Sequence, residues 1–382
     1  MRGGGGVQVG DADEIARRKG EHLQLAAEGD VETRATAGWE DVNLIHDALP
    51  TIDAASIDLT TRFLGHTLKL PLVISGMTGG HGRAIAVNEL LARVAEKTGI
   101  AIGVGSQRAA LRDPTLIPTY SVVRETAPHA FVIANVGISQ LVKQGGEPAL
   151  SSKDVREIVK MVGANALALH LNYLEESVQP EGQTRATGTE AAVRALTKAC
   201  AVPVIAKETG AGISRTTALR LRRLGVSAID VGGVGGTSFA AIEGLRARER
   251  GDALRMSLGE RLRDWGLPTA VAVVGASASR LPIVATGGVR SGVDAAKALA
   301  LGATIVGVGR PLLQAALKGE QACLEWLAAF ELELRTAVFL SGIKRASDLH
   351  RVPVVVTGRS KAWLDQLAYR RALAGPSRTR SS

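Results

Sequence analysis

The feature that most constrains the fold is a rhythm of eight short, apolar, β-branched runs, each ending in glycine or a polar residue and followed by a stretch of helical periodicity. Strands that are apolar throughout belong to parallel sheets covered on both faces, and the alternating helices supply that cover. Eight such units predict an α/β chain of the (β/α)8 (TIM) barrel class, with a doubly wound open sheet as the alternative. The runs span residues 71–76, 99–105, 130–137, 165–172, 203–208, 227–233, 282–288 and 304–309.

The flanking segments divide the chain into three parts. Residues 1–65 form an N-terminal arm with a helical pattern over 13–29, and residues 66–374 form the barrel. A long insertion at 240–268 separates the sixth and seventh strands. Residues 375–382 lack periodicity and are rich in Ser and Arg, so we expect a disordered tail.

Composition narrows the range of partners. Aromatic residues make up only 3% of the chain, which leaves few stacking platforms for nucleic acid, so no nucleic-acid partner is expected. Lys and Arg number 46 against 37 Asp and Glu, a net charge of +9, which favours an anionic partner such as a phosphate. The alternative is that the excess lies in solvated arginine clusters at 219–223, 246–250 and 370–380.

Cysteine usage and hydropathy bear on the compartment. The two cysteines, Cys200 and Cys323, provide neither a disulfide framework nor a zinc-binding spacing. The glycine-rich start has no apolar core of a secretion signal, and no uncharged apolar run is long enough to span a membrane. We therefore expect a cytoplasmic protein without a membrane span.

Polar and glycine-rich sequences follow the strands, where a barrel carries its functional groups. Glycines alone could serve only as turns, but the pattern at all eight ends predicts an enzyme. The loops Gly287–Gly288–Val289–Arg290 and Gly309–Arg310 each precede a helical stretch, which is the composition of a phosphate cradle. The glycine run 232–236 before Thr237 adds a third flexible loop but lacks the acidic residue of a dinucleotide-binding fingerprint.

Two strand ends carry ionisable groups. Lys207 ends a buried strand and needs an anionic partner, either a bound phosphate or ring system, or a carboxylate such as Glu208 or Asp230. The fourth strand leads into a set that can hold a hard cation, bind phosphate and transfer a proton. Its two carboxylates could equally be first-turn residues of a helix, where their negative charge interacts favourably with the helix dipole. This set is His170, Asn172, Glu175 and Glu176.

A basic cluster lies in the arm. Arg18 and Lys19 precede His22, and on a helix Arg18 and His22 share a face. The cluster is either a solvated charge run or a set of ligands for an anion at the barrel mouth.

In order along the chain, the motifs resemble those of the type 2 isopentenyl-diphosphate isomerases, flavoproteins of (β/α)8 fold, from about residue 15 to residue 358. The matching stretches are RKGEH, GWEDVNLIHDALPTID, PLVISGMTGG, GSQRAAL, NVGISQL, HLNYLEESVQPEG, AKETGAGIS, VGGVGGTS, WGLPTA, ATGGVRSGVDAAKALALGA and VGVGRPLL.

The resemblance implies an FMN- and Mg2+-dependent isomerase that converts isopentenyl diphosphate to dimethylallyl diphosphate, with NAD(P)H reducing the flavin to its active form. It also implies a homotetramer or homo-octamer, with the arm folding over its own site or a neighbour's. FMN would be bound by Met77, Thr78, Gly79, Ser106, Asn135, Lys207, Thr237, Gly288, Val289, Arg290, Gly309 and Arg310. The substrate diphosphate would be bound by Arg18, Lys19, His22, Ser106, Gln107, Arg108, His170 and Asn172, with Glu176 holding magnesium against it.

Three positions differ from the family pattern: Glu175 stands where the family has glutamine, Tyr173 replaces a smaller residue or proline, and Gln183 replaces an acid. An amide is a very poor acid, whereas a carboxylic acid kept protonated by burial can donate a proton to an alkene. We therefore expect Glu175 to act as a general acid.

Protonation of a 1,1-disubstituted alkene gives a tertiary cation, and loss of a neighbouring proton completes the isomerisation. In a longer prenyl diphosphate a second alkene could trap the cation, so the alternative function is non-redox cyclisation or double-bond migration, as in a terpene cyclase. A hydroxy-acid oxidase would need a base histidine and paired arginines, for which the sequence offers no convincing set. A non-enzymatic flavin- or phosphate-binding module is the remaining alternative.

Overall fold

The computed structural model describes residues 20, 21 and 24–369. Eight parallel strands form a closed barrel in the order β10-β11-β4-β5-β6-β7-β8-β9. The (β/α)8 prediction is confirmed, and the open-sheet alternative is wrong. Each of the eight predicted runs contains one barrel strand. The described strands are β1 (Val42–Leu44), β2 (Thr61–Phe63), β3 (His66–Leu68), β4 (Leu72–Ile74), β5 (Ala101–Gly103), β6 (Val132–Gly137), β7 (Ala166–Leu171), β8 (Val204–Glu208), β9 (Ala228–Asp230), β10 (Ile283–Thr286), β11 (Ile305–Val308) and β12 (Val354–Val356).

Helices surround the barrel and contribute the outer half of the core. Their starts follow local capping chemistry. Ser151 and Asp154 form a reciprocal capping box, and at the start of a later helix the side chain of Ser291 accepts the backbone N–H of Asp294. The described α-helices are α1 (Ala84–Thr98), α2 (Arg108–Arg112), α3 (Pro118–Thr126), α4 (Ser152–Met161), α5 (Tyr173–Val178), α6 (Thr189–Ala199), α7 (Arg215–Arg223), α8 (Phe239–Glu249), α9 (Ala253–Arg261), α10 (Thr269–Ser277), α11 (Gly292–Ala300), α12 (Arg310–Ala316), α13 (Glu320–Leu340) and α14 (Gly358–Gln366).

The amino-terminal end of the barrel is closed by a hairpin. Strands β2 and β3 pair antiparallel and insert Phe63 and Leu68 among the inward-facing side chains of the barrel strands. Phe63 is fully buried and meets Phe131 edge to face, with 5.7 Å between ring centroids. The opposite, carboxyl end of the strands is therefore the end that can hold a site.

The strand register aligns ionisable residues at that end. Gly137 on β6 pairs with His170 on β7, His170 pairs with Lys207 on β8, and Lys207 pairs with Asp230 on β9. Neighbouring strands thus bring an imidazole, an ammonium group and a carboxylate to one level of the barrel.

The arm follows the outside of the barrel. Near the carboxyl end the backbone N–H of Thr33 donates to Gly236, and further along β1 pairs with β12. The predicted insertion consists of α8 and α9, which pack against each other. The predicted tail at 375–382 lies outside the described residues. Over the described ranges, no helix combines the length and apolar character that a membrane span requires.

Candidate active site

A cavity of about 270 Å³ opens at the carboxyl ends of the barrel strands. The structure brings together in its wall every described residue that the sequence singled out as a ligand, with the exception of Gln107. These are Met77, Thr78, Gly79, Ser106, Arg108, Asn135, His170, Asn172, Glu175, Glu176, Lys207, Thr237, Gly288, Val289, Arg290, Gly309 and Arg310. Arg18, Lys19 and His22 lie outside the described residues.

Glycine backbone forms one wall of the cavity. Gly288 has a left-handed φ of 66°, and a Cβ there would lie 2.4 Å from the carbonyl oxygen of Gly235. A Cβ on Gly236 would lie 2.9 Å from the nitrogen of Gly288, so only glycines allow these loops to meet. Gly309 precedes α12 without a side-chain cap. Backbone N–H groups can therefore approach an anion closely in this wall.

Two buried hydroxyl groups lie on the same side of the cavity. The Oγ of Ser75 and the Oγ1 of Thr286 have no hydrogen-bond partner within the described part of the chain. Both flank Gly307, where a Cβ would lie against them. Unpaired buried hydroxyls are costly, and a polyol chain ending in phosphate would pair with them, so the wall fits the ribityl phosphate of FMN.

Lys207 lies inside this cavity and is paired. Its Nζ is 3.0 Å from the Oδ2 of Asp230 and donates to the carbonyl oxygen of Glu208 at 3.2 Å. The salt bridge to Asp230 is present and Lys207 also lines the cavity, so the two alternatives left by the sequence are compatible. The carboxylate of Glu208 instead accepts the N–H groups of Gly210 (2.7 Å) and Ala211 (2.5 Å), and burial raises the pKa of Glu208 to about 7.

His170 is oriented by a chain of amides. Its Nδ1 is 2.7 Å from the Oδ1 of Asn135, whose Nδ2 donates to the carbonyl oxygen of Val104 at 3.0 Å. Since the amide oxygen must accept, Nδ1 of His170 carries the proton, and a neutral ring leaves Nε2 as an acceptor.

Gln107 supports this arrangement from behind. Its fully buried side chain accepts the N–H of Asn135 at 3.0 Å and donates to the carbonyl oxygen of Ile158 at 2.9 Å. The predicted contact of Gln107 with the substrate is therefore corrected: both amide groups are occupied by backbone, and the residue positions Asn135.

The two carboxylates after β7 share one amide. Nδ2 of Asn172 donates to Glu175 at 3.1 Å and to Glu176 at 3.2 Å. Both carboxylates lie in the first turn of α5 and also line the cavity, so the two alternatives left by the sequence are compatible. Glu176 is buried and additionally accepts from Ser139 (3.3 Å) and from the N–H of Gln183 (2.6 Å).

Among the described residues no cluster of three or more acids, histidines or cysteines could enclose a metal ion. Glu176 nevertheless presents a fixed carboxylate at the cavity wall. Mg2+ is commonly held by one or two carboxylates together with substrate phosphates and water, so the residues present fit a magnesium ion shared with a diphosphate.

Arg108 is held by residues beyond the wall. Its Nη1 donates to the Oε1 of Gln183 at 3.0 Å, and its Nη2 forms an ion pair with Glu147. Glu147 also pairs with Arg112. Burial acts to raise the pKa of Glu147, but hydrogen bonds and the two guanidinium charges lower it overall. Glu147 was missed because nothing in its loop sequence distinguishes it.

Arg290 and Arg310 connect the cavity to the arm. Nη1 of Arg310 and Nη2 of Arg290 each lie 2.9 Å from Glu32, on different carboxylate oxygens. Arg310 also donates to the carbonyl oxygens of Ala26 and Gly29, both at 2.8 Å. Glu32 was not predicted as a site residue, because no local sequence signal marks it.

A second set of ion pairs fixes the start of the described chain. Arg246 on α8 is fully buried, and its guanidinium lies 3.0 Å from Glu21, 2.9 Å from Glu181 and 2.5 Å from Glu243. Ile242, one turn earlier, lines the cavity. Glu21 is thereby fixed to the helix that contributes Ile242 to the cavity wall.

Residues 154–355 match the family described as FMN-dependent dehydrogenase. The fold is that of the lactate oxidase of Pediococcus acidilactici (TM-score 0.64, 16% identity, 91% of this chain and 94% of that chain) and of a mandelate oxidase (TM-score 0.59, 18% identity, 91% and 98%). Barrel, glycine-rich wall and family match define an FMN-dependent barrel enzyme.

Relatives of higher sequence identity identify the family within this class of enzyme. The isopentenyl-diphosphate delta-isomerase of Methanoregula boonei is 47% identical over 351 residues, which cover 91% of this chain and 96% of the relative. That of Methanosarcina acetivorans is 46% identical over 355 residues, covering 93% and 95%. The chain belongs to the isopentenyl-diphosphate delta-isomerase family.

Proposed function

We propose that this protein converts isopentenyl diphosphate to dimethylallyl diphosphate with FMN and magnesium, NAD(P)H serving as the reductant of the flavin. One observation carries the proposal: a single cavity joins a glycine-rich wall suited to one phosphate with a separate set of polar residues around Glu176 suited to a second phosphorylated molecule. Such a pair of anion sites suits a flavin nucleotide and a prenyl diphosphate.

At the flavin end, the loops containing Gly236, Gly288 and Gly309 would hold the phosphate, and the hydroxyls of Ser75 and Thr286 would hold the ribityl chain. The ring would lie against Met77, Thr78, Gly79, Ser106 and Asn135, with Lys207 supplying positive charge. When bound and reduced, the flavin would supply an electron-rich ring to the reaction.

At the diphosphate end, Arg108 supplies a charged donor and Glu176 the magnesium ligand, while His170 and Asn172 line the same part of the cavity. Arg18, Lys19 and His22 would complete the site from the arm. The ion pair between Glu21 and Arg246 supports this part of the proposal, because it fixes a residue next to this basic cluster in sequence to α8, which contributes Ile242 to the cavity wall.

Glu175 would hold the proton that the alkene receives. Asn172 fixes its carboxyl group in the cavity wall. Addition of its proton to the terminal methylene gives a tertiary cation and leaves Glu175 as a carboxylate. That carboxylate accepts the proton lost from the methylene next to the cation, which gives the allylic diphosphate and restores the acid, so atoms balance without net redox.

A second candidate is cyclisation or double-bond migration of a longer prenyl diphosphate. It is favoured by one observation, the carboxyl group of Glu175 at the position where the family pattern has an amide. A cation formed by this acid on a chain with a second alkene could close a ring.

The deciding experiment is product identification by mass spectrometry with isopentenyl, geranyl and farnesyl diphosphates, using FMN-loaded protein, reductant and MgCl2. Dimethylallyl diphosphate from the five-carbon substrate is expected. Cyclised or rearranged products from the longer substrates alone would replace the first candidate with the second. The homotetramer or homo-octamer is likewise a proposal, to be measured by analytical ultracentrifugation.

A further inference from the structure

Thr78 reaches the cavity wall from a loop that neighbouring elements hold in place. Its carbonyl oxygen accepts the N–H of Gly105 at 2.9 Å and the Nδ2 of Asn88, on α1, at 3.3 Å. The N–H of Gly80 donates to the hydroxyl of Thr119, on α3, at 2.8 Å. These contacts fix the backbone of the loop, and the direction of the Thr78 hydroxyl is the part that they do not set.

His81 contacts that hydroxyl. Its Nε2 lies 3.1 Å from the Oγ1 of Thr78, and both side chains are buried. Thr78 lines the cavity, whereas His81 is not among the described residues that do so. The contact favours one rotamer of the threonine, because a hydroxyl that turned away from His81 would give up this bond in a buried environment.

The bond leaves part of the hydroxyl for a ligand. A threonine hydroxyl donates once and accepts twice, and an imidazole Nε2 can be either the donor or the acceptor. If Nε2 accepts, Oγ1 keeps lone pairs for the cavity. If Nε2 carries the proton, Oγ1 accepts from it, and the hydroxyl proton can be directed to the cavity. Thr78 can therefore present an acceptor or a donor, according to the tautomer of His81.

This property suits a flavin ring. Two-electron reduction of the ring converts a nitrogen that accepts hydrogen bonds into an N–H group that donates them, and hydrogen bonds to ring nitrogens are one means by which a protein tunes a flavin. A hydroxyl that is held in place and can serve either form affects how tightly each form is bound.

We propose that His81 is a positioning residue that fixes the hydroxyl of Thr78 toward the flavin and thereby sets the relative affinity of the protein for oxidised and reduced FMN. The inference rests on the proposed function for the place of the ring beside Thr78. His81 acts through Thr78 and does not touch the reacting atoms.

The test is a double-mutant cycle on the midpoint potential of bound FMN, measured by equilibration with a reference dye. Thr78→Val removes the hydroxyl and nearly keeps the shape of the side chain, and His81→Leu removes its partner. We expect each single variant to change the ratio of the Kd values for oxidised and reduced FMN by about fivefold in the same direction, which for a two-electron couple is a shift of about 20 mV. The double variant should shift no further than Thr78→Val alone, because no hydroxyl is left to orient.

Two further variants separate positioning from support of the fold. His81→Gln carries an amide that reaches about as far as Nε2 and can donate or accept, so it should restore the Kd ratio to within about twofold of the wild type. Thr119→Val is the matched control, since it disturbs the same loop through the bond from Gly80 and leaves the hydroxyl of Thr78 intact. It should lower the Tm and leave the potential unchanged.

An unchanged potential in His81→Leu, or additive shifts in the double variant, would overturn the inference. The same shift in Thr119→Val would also overturn it, because the potential would then respond to any disturbance of the loop. If His81→Leu does not retain FMN, the same cycle is run with His81→Asn, whose shorter amide does not reach the position of Nε2.

The potential also separates this inference from the proposed function. If bound FMN responds as described but isopentenyl diphosphate is not isomerised, the proposed reaction fails and the role of His81 stands. If isomerisation occurs and the His81 variants keep the wild-type potential, the inference alone fails.

Discussion

Lys207 and Asp230 form a buried ion pair in the barrel, with Nζ 3.0 Å from Oδ2 and side chains that are 14% and 8% exposed. The parallel register of β8 and β9 places them directly opposite each other. The positive charge of Lys207 in the cavity is thus already balanced by the carboxylate of Asp230. Removing Lys207 should therefore affect both the binding of an anionic cofactor and the stability of the fold.

Lys207→Met should weaken FMN binding by about tenfold or more and should destabilise the protein, because breaking a buried pair costs about 3–5 kcal/mol. FMN fluorescence titration and calorimetric Tm measure the two effects. In the Lys207→Met/Asp230→Asn double variant the unpaired charge is gone, so stability should largely return while FMN affinity stays low. Recovery of both would show that Lys207 serves the fold alone.

Glu32→Gln should loosen the arm without damaging the flavin wall. The carboxylate of Glu32 joins Arg290 and Arg310 to the arm, and its loss frees both guanidinium groups for phosphate. We expect the KM for isopentenyl diphosphate to rise several-fold while the Kd for FMN stays equal or falls. Glu28→Gln is the matched control, since Glu28 is an exposed acid in the same segment. A weaker FMN affinity in Glu32→Gln would contradict this interpretation.

Glu208 makes stability depend on pH. Burial raises its pKa to about 7, from an ordinary value near 4.5. Between about pH 4.5 and 7 the folded protein keeps a proton that the unfolded chain has lost, so the contribution of Glu208 to stability falls as the pH rises through this window and is constant above it. Glu208→Gln keeps an oxygen for the N–H groups of Gly210 and Ala211.

The Tm of the wild type relative to Glu208→Gln should therefore decrease from pH 5 to pH 8. Differential scanning calorimetry at four pH values in that range measures the difference. Parallel Tm curves for the two proteins would show that the carboxyl group does not titrate in this window.

The barrel and its cavity were predictable because apolar runs, strand-end polarity and glycine loops are local patterns. The direction in which a side chain points cannot be read from local sequence. Gln107 lies in the same strand-end segment as Ser106 and Arg108, but its side chain points away from the cavity and accepts the N–H of Asn135. Glu32 was missed because its role depends on an ion pair with Arg290, which lies 258 positions away in the sequence. For the same reason Gln183 stood out only as a departure from a pattern, and its contacts with Arg108, Glu147 and Glu176 appear only in the fold.

Glu175→Gln tests the acid at the alkene. The glutamine keeps an oxygen for the Nδ2 of Asn172, so FMN affinity and pyrophosphate binding should be preserved. The carboxyl proton is lost, so we expect isomerisation of the five-carbon substrate to slow by about 100-fold or more, and any products from longer prenyl diphosphates to disappear. Mass-resolved product analysis measures the distribution.

The neighbouring Glu176→Gln is the matched control, because it removes the same charge one position along α5. Its carboxylate accepts from Ser139 and Gln183 and would bind magnesium, so this variant should raise the MgCl2 concentration needed for activity and leave the product ratio unchanged. If Glu175→Gln instead shows the wild-type rate and product distribution, the carboxyl group of Glu175 plays no part in proton transfer, and the proton must reach the alkene from another group in the cavity.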